Sequence, residues 1–165
     1  MYYGALEAGG TKMVCAIGDA DKNIIDRISI PTGTPDQSVP AMIDYFKKYD
    51  ISALGIGTFG PADINPNSPT YGSIMRSPKK AWEGFSLYKA FTDALGCLVV
   101  VDTDVNAAAW GEYLYGALKG LNSGMYLTVG TGIGGGIISD GRLIHGMEHP
   151  ETGHILIPRR TGDDI

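Results

Sequence analysis

Cysteine is scarce: two residues, Cys15 and Cys97, in a chain of 165. Both stand in apolar, strand-like stretches, so a disulfide framework is excluded and buried thiols in a reducing compartment are expected. Proline is sparse at nine, and hydrophobic residues make up 44%, which excludes a collagen-like or disordered chain. No segment approaches the ~20 consecutive apolar residues that a membrane-spanning helix needs. The opening MYYGALEAGG has neither the basic start nor the apolar stretch of a signal peptide. Positive charge is also short, with 13 Lys and Arg against 18 Asp and Glu and a net charge of −5. That balance argues against a general nucleic-acid or membrane-surface binder. A cytoplasmic protein with neither kind of partner is the expectation.

Glycine is what the chain has in excess, at 24 residues, about twice the usual ~7% share. The surplus is clustered. Gly9 and Gly10 are adjacent, and five of the seven residues from Gly130 to Gly136 are glycine.

Hydrophobic periodicity predicts short strands at Tyr2 to Ala8, Met13 to Ile17 and Ile24 to Ile30. Val39, Met42, Ile43 and Phe46 fall at helical spacing. Ile51 to Ile56 reads as a buried strand, followed by a Gly/Pro/Asn loop. A second helix is expected from Ser86 to Leu95, capped by Ser86, and a strand from Leu98 to Val101. Val105 to Lys119 reads as an Ala-rich helix stopped by Gly120. Strands at Met125 to Val129 and Gly136 to Ser139 flank the densest glycine cluster. Three antiparallel strands followed by strand–helix alternation imply an α/β fold with a mixed sheet.

The glycine turns, EAGGTK at 7 to 12 and TVGTGIGGG at 128 to 136, carry the first functional signal. Turns without Cβ atoms aim backbone N–H groups into a concavity that an anion can approach closely. Thr11, Thr128 and Thr131 add hydroxyls, and Lys12 adds a positive charge. Both turns also read as plain tight hairpins. The Walker spacing is absent. Gly130, Gly132 and Gly135 spell G-x-G-x-x-G, but the β-branched run after them opens no helix, so a dinucleotide site is not expected.

These motifs, with GTFGPAD from Gly57 to Asp63, TDVNAAAWGE from Thr103 to Glu112 and HPETGH from His149 to His154, together resemble the ROK kinases (repressor, open reading frame, kinase). Within them they look most like the bacterial fructokinases. The ordered set spans almost the whole chain. The resemblance implies a two-lobed, actin-like ATPase fold (ribonuclease H-like) with the active site between the lobes. It implies ATP-dependent phosphorylation of a hexose, with fructose to fructose 6-phosphate first and glucose, mannose or an N-acetylated hexosamine as alternatives. It also implies ATP, Mg and Zn, and a homodimer in the full-length protein.

Residue by residue, the resemblance implies Asp104 as general base. Glu7 stands where many relatives have Asp, with a water-mediated tie to the metal. Gly9, Gly10, Thr11 and Lys12 form the first phosphate loop, and Thr131, Gly132 and Gly134 belong to the second. Gly60, Pro61, Asn106, Glu151 and His154 are the sugar-side positions, and His154 is also the zinc-site histidine. Many relatives carry Asn where this chain has Thr103. Phosphoryl transfer needs positioning and charge neutralisation more than covalent chemistry. A carboxylate at a strand-to-helix junction suits a base, because the helix N-terminus favours negative charge. On local grounds alone, Asp104 reads equally as a helix-capping aspartate.

His145 and His149 read as loop residues or sugar-side contacts. From Tyr71 to Trp82, Lys79 and Trp82 are candidate cleft residues. Residues 1 to 121 are expected to form the first lobe and 122 to 165 to begin a second. The later zinc cluster and adenosine-holding elements of such kinases have no counterpart, so an N-terminal portion with little activity alone is the expectation. A non-catalytic sugar sensor and a nucleotide-binding scaffold are the competing readings.

Overall fold

Strand alternation decides which face of the first sheet is buried. The computed structural model describes residues 1–130, 132–146, 151–160 and 162. Strands β1 (Tyr2–Ala8), β2 (Lys12–Asp19), β3 (Ile24–Pro31), β4 (Ile51–Thr58) and β5 (Leu98–Thr103) form one mixed sheet in the order β3-β2-β1-β4-β5. β1 pairs antiparallel with β2 and parallel with β4, and β4 pairs parallel with β5. The pairing aligns Cys15, Leu6, Ile56 and Val101 in one row across four strands. All four are buried.

Helices α1 (Pro35–Phe46) and α2 (Leu87–Leu95) cover that face. Their largest side chains meet edge to face, with Phe46 and Phe91 centroids 6.1 Å apart and both rings fully buried. Each such ring contributes about 1.5–3 kcal/mol by leaving water. α2 starts as the sequence predicts, with the Ser86 hydroxyl accepting from the Lys89 N–H at 3.2 Å. It stops at Gly96 in the left-handed region, φ 64°.

Trp82 is a core residue, not a cleft residue: it is 1% exposed, and its Nε1 donates to the Gly33 carbonyl at 2.8 Å. An indole can enter a core because its N–H finds such a partner. Cys15 is buried and Cys97 half-buried, and both are free thiols.

The third helix is shorter than its alanine content suggests. α3 spans Asp104–Tyr115, because Glu112 draws the chain out of helix. Its carbonyl accepts from both Gly116 and Leu118, and its side chain accepts from the Ala117 N–H at 2.7 Å. Gly120, expected as the stop, lies in the turn beyond at φ 81°.

A second sheet follows, β6 (Gly124–Val129), β7 (Ile133–Ser139) and β8 (Arg142–Leu143), antiparallel in that order. β7 begins at Ile133, three residues before the expected start at Gly136. Gly134, Gly135 and Gly136 are therefore strand residues, not turn residues. The reason is packing. α3 lies against β4 and β5 and also against β6 and β7. At Gly136 a side chain would strike the Val105 carbonyl and the Ala109 Cβ. Gly135 faces the other way, toward Thr152 and Leu127. Among the described residues, no helix is long and apolar enough to cross a membrane.

Candidate active site

The other face of the first sheet is the floor of a cleft. On it, Glu7 of β1, Gly57 of β4 and Asp102 of β5 stand in one row. Gly57 has no side chain because α3 begins there: a Cβ would lie 2.9 Å from the Ala107 Cβ and 3.3 Å from the Asp104 Cα. The result is a cleft of about 500 Å³, lined by Glu7, Gly57, Asp104, Ala108, Tyr126 and Thr128 among others. Glu7 and Asp104 thus face one space from two elements, and Thr128 closes it from the second sheet.

Asp104 is the first residue of α3, not its cap. The cap is Thr103, whose hydroxyl accepts from the Asn106 N–H at 3.2 Å. The Asp104 carboxylate accepts from the Val105 N–H at 2.9 Å and is half-buried. The capping task that the sequence leaves open for Asp104 therefore belongs to Thr103.

The first glycine turn closes through Gly9, whose N–H donates to the Lys12 carbonyl at 3.0 Å. Thr32 braces it, its hydroxyl donating to the Gly9 carbonyl at 2.8 Å. Gly10, Thr11 and Lys12 are exposed. The end of the Lys79 chain lies over Gly10, with Cε 3.6 Å from where a Cβ would stand. In the second turn the Gly130 N–H donates to the Gly132 carbonyl at 2.9 Å, and both glycines face open space. Gly134 is inside β7, against Val105 and Thr128. Thr131 and His149 lie outside the described residues.

Glu151 and His154 form a separate pair. The His154 Nδ1 lies 3.0 Å from the Glu151 carboxylate, and both are exposed. Their short 3-10 turn, Thr152–His154, is tied to β7 by the Thr152 hydroxyl, which donates to the Gly135 carbonyl at 3.2 Å. Since Gly135 faces away from α3, this pair joins the assembly from the far side of β7. Among the described residues, no group of three or more His, Cys, Asp or Glu is arranged to hold a metal.

Gly60 and Pro61 follow β4, joined by a cis peptide. The loop after them is pinned by Asp63, which accepts from Ser68 Oγ, from Thr70 Oγ1 at 2.6 Å and from the Asn65 N–H at 3.1 Å. Burial alone would raise this carboxyl, but the hydrogen bonds overcome it and hold the group below the usual carboxylate range.

Sequence reasoning misses Asp102 here and leaves His145 open between a loop residue and a sugar-side contact. Asp102 accepts from the Asn106 side-chain amide at 2.7 Å and from the Thr103 N–H at 2.7 Å. Its other oxygen lies 2.8 Å from His145 Nε2. The i, i+4 spacing of Asp102 and Asn106 is the available signal, but it crosses a strand-to-helix junction where helical spacing has no meaning in advance.

A profile of the ROK family matches residues 3–163. The chain is 49% identical over 162 residues to a protein of Bacillus subtilis (strain 168) named "Putative fructokinase", covering 98% of this chain and 54% of that protein. It is 43% identical over 165 residues to the fructokinase of Pediococcus pentosaceus, covering 100% of this chain and 57% of the relative. Among solved structures, it is similar to a ROK family glucokinase from Streptomyces griseus in complex with glucose and AMPPNP. That likeness has a TM-score of 0.76 at 29% identity, over 96% of this chain and 51% of that one. The chain thus spans about half the length of the relatives it matches.

Proposed function

The chain belongs to the ROK family, with the actin-like ATPase fold of the ROK sugar kinases, and from that premise we propose that it supplies the catalytic base and first phosphate loop of an ATP-dependent hexose kinase. Fructose is the proposed acceptor, on the strength of fructokinase relatives at 40–49% identity. The observation that carries the reading is the shared cleft of Glu7 and Asp104, walled by the second sheet at Thr128.

In this reading Asp104 accepts the proton of the sugar hydroxyl as that oxygen attacks the γ-phosphorus of ATP, and ADP leaves. General-base catalysis contributes about 10²–10⁴-fold, roughly 3–5 kcal/mol of barrier. The Gly9–Gly10 turn, exposed at Gly10, Thr11 and Lys12, receives phosphate oxygens. Gly132 does so from the opposite turn with Thr131, and Gly134 keeps that turn close to α3. Asn106 supports the sugar end of the cleft through the start of α3, and Gly60 and Pro61 shape that end. Glu151 and His154 reach the sugar from the far side of β7.

A magnesium ion brought with ATP fits Glu7, an exposed carboxylate within the cleft that would hold the ion through the waters magnesium usually keeps. When bound, that ion neutralises charge developing on the transferred phosphoryl group. Zinc fits less well. His154 turns its Nδ1 to Glu151, and no further ligands gather beside it among the described residues. Among the described residues, His154 is the one proposed zinc ligand.

We assign residues 1–121 to the first lobe and 122–165 to the start of the second, in a cytoplasmic homodimer when the protein is full length. The test is coupled ADP release by the full-length protein with fructose, glucose, mannose and N-acetylmannosamine. The expected result is the highest kcat/KM with fructose. A glucose or N-acetylmannosamine preference overturns the fructose assignment, and no sugar-dependent ADP release overturns the kinase reading. Residues 1–165 alone are expected to show little or no turnover.

A further inference from the structure

We propose that Asp102 is a positioning residue for the sugar end of this cleft: it fixes the orientation of the Asn106 amide and, through His145, fastens that amide to the second sheet. The inference rests on the sugar-kinase reading above.

Asn106 is 0% exposed. A side-chain amide in such a place has two orientations that differ by exchange of donor and acceptor. Asp102 removes the ambiguity. A carboxylate oxygen accepts and cannot donate, so the Asn106 Nδ2 must face it, as the 2.7 Å contact shows. The Asn106 Oδ1 is then driven the opposite way, where it is buried without a hydrogen-bond partner. A buried acceptor left open is unusual, since such groups are nearly always satisfied. Asn106 and its Oδ1 are closed to the cleft, so the fixed amide acts on the sugar end through the start of α3, where Asp104 faces that space.

Asp102 is itself held from two sides. The Thr103 N–H donates to the same oxygen at 2.7 Å, which locks the carboxylate to the start of α3. His145 meets the other oxygen at 2.8 Å. His145 comes two residues after β8, and the Ile144 N–H between them donates to the Ile137 carbonyl at 2.9 Å. The imidazole therefore stands on the framework of the second sheet. Asp102 is half-buried, with its side chain 23% exposed, so this is a short polar bridge from one sheet to the other. Asp104, the proposed base, lies between the two residues that the bridge holds, Asp102 and Asn106.

The test uses the full-length protein with Asp102→Ala, His145→Phe and His145→Gln, measuring kcat and KM for sugar and for ATP separately. His145→Phe removes the donor and should raise the sugar KM about three- to tenfold while leaving the ATP KM unchanged, the signature of lost sugar positioning. His145→Gln retains an N–H donor and should recover most of that loss. Asp102→Ala frees the amide and should cut sugar kcat/KM by more than about tenfold. His145 is on the surface, so His145→Phe tests the bridge even where Asp102→Ala fails to fold. Wild-type turnover combined with an unchanged sugar KM in His145→Phe, or with equal losses for sugar and ATP, overturns the inference and leaves the kinase reading standing. A wild-type protein that phosphorylates no sugar overturns both.

Discussion

The Tyr71 hydroxyl does for Val101 what a neighbouring strand would do. It donates to the Val101 carbonyl at 2.9 Å and accepts from the Val101 N–H at 2.8 Å. β5 is the edge of the five-stranded sheet, and an unpaired edge is a site for unwanted pairing. Tyr71 seals that edge just ahead of Asp102 and Asp104. Tyr71→Phe leaves the ring contact with Tyr88, 5.0 Å between centroids, and removes both hydrogen bonds. The expected cost is about 1–3 kcal/mol, the range for leaving a buried polar group unsatisfied. Denaturant unfolding of wild type and variant measures it, and an unchanged midpoint contradicts the edge-sealing role.

Asp104→Asn preserves the shape of the α3 start and removes the proton acceptor. The expected loss in kcat is about 10²–10⁴-fold, with the sugar KM little changed. Wild-type kcat in this variant sinks the general-base assignment. An effect confined to KM would instead assign Asp104 to binding.

Gly136→Ala and Gly55→Ala form a matched pair. A Cβ on Gly136 runs into the backbone of Val105, whereas one on Gly55 meets nothing within 4 Å. The first substitution should destabilise by about 1–3 kcal/mol, as overpacking does. The second should be neutral or slightly stabilising, because glycine in a strand costs backbone entropy. Melting temperatures of the two variants decide the matter, and equal shifts would contradict the packing argument.

Alkaline stability should depend on Cys15. Burial pushes this thiol up to about 12, against about 8.5 in an unfolded chain. The folded state keeps the proton that the unfolded state gives up. The stabilisation is therefore complete below about pH 8.5 and is lost as pH rises toward about 12. Burial likewise raises the Tyr45 hydroxyl, so the informative quantity is a difference. The slope of unfolding free energy against pH in this alkaline window should be flatter in Cys15→Ala than in wild type. Parallel slopes would show that Cys15 does not carry the effect.

Much of this architecture is legible in the sequence because alternation and helical spacing are local. The first five strands, their mixed sheet and the α2 cap at Ser86 follow from patterns a few residues long. The failures share a cause. The α3 stop depends on the Glu112 side chain reaching Ala117, and the early start of β7 depends on a helix whose contacts lie thirty residues back. Gly134 to Gly136 read as a phosphate turn because closeness to an anion and closeness to a helix both demand a missing Cβ. Trp82 reads as a cleft residue because nothing local announces the Gly33 carbonyl that receives its indole. The Asp104 neighbourhood was visible as a motif, whereas Asp102 and His145 meet across forty-three positions.

The seam between α3 and β7 also sets how these sequences can drift. At Gly134 the obstacles are side-chain atoms, Val105 Cγ1 and Thr128 Cγ2, so a larger residue there can be accommodated by a smaller one opposite, and the positions are free to change as partners. At Gly136 the principal obstacle is the Val105 carbonyl, which every amino acid brings with it. No substitution elsewhere makes room for it. Among variants that keep this helix in place, position 134 should therefore covary with 105 and 128, while position 136 stays fixed and carries no covariation signal at all.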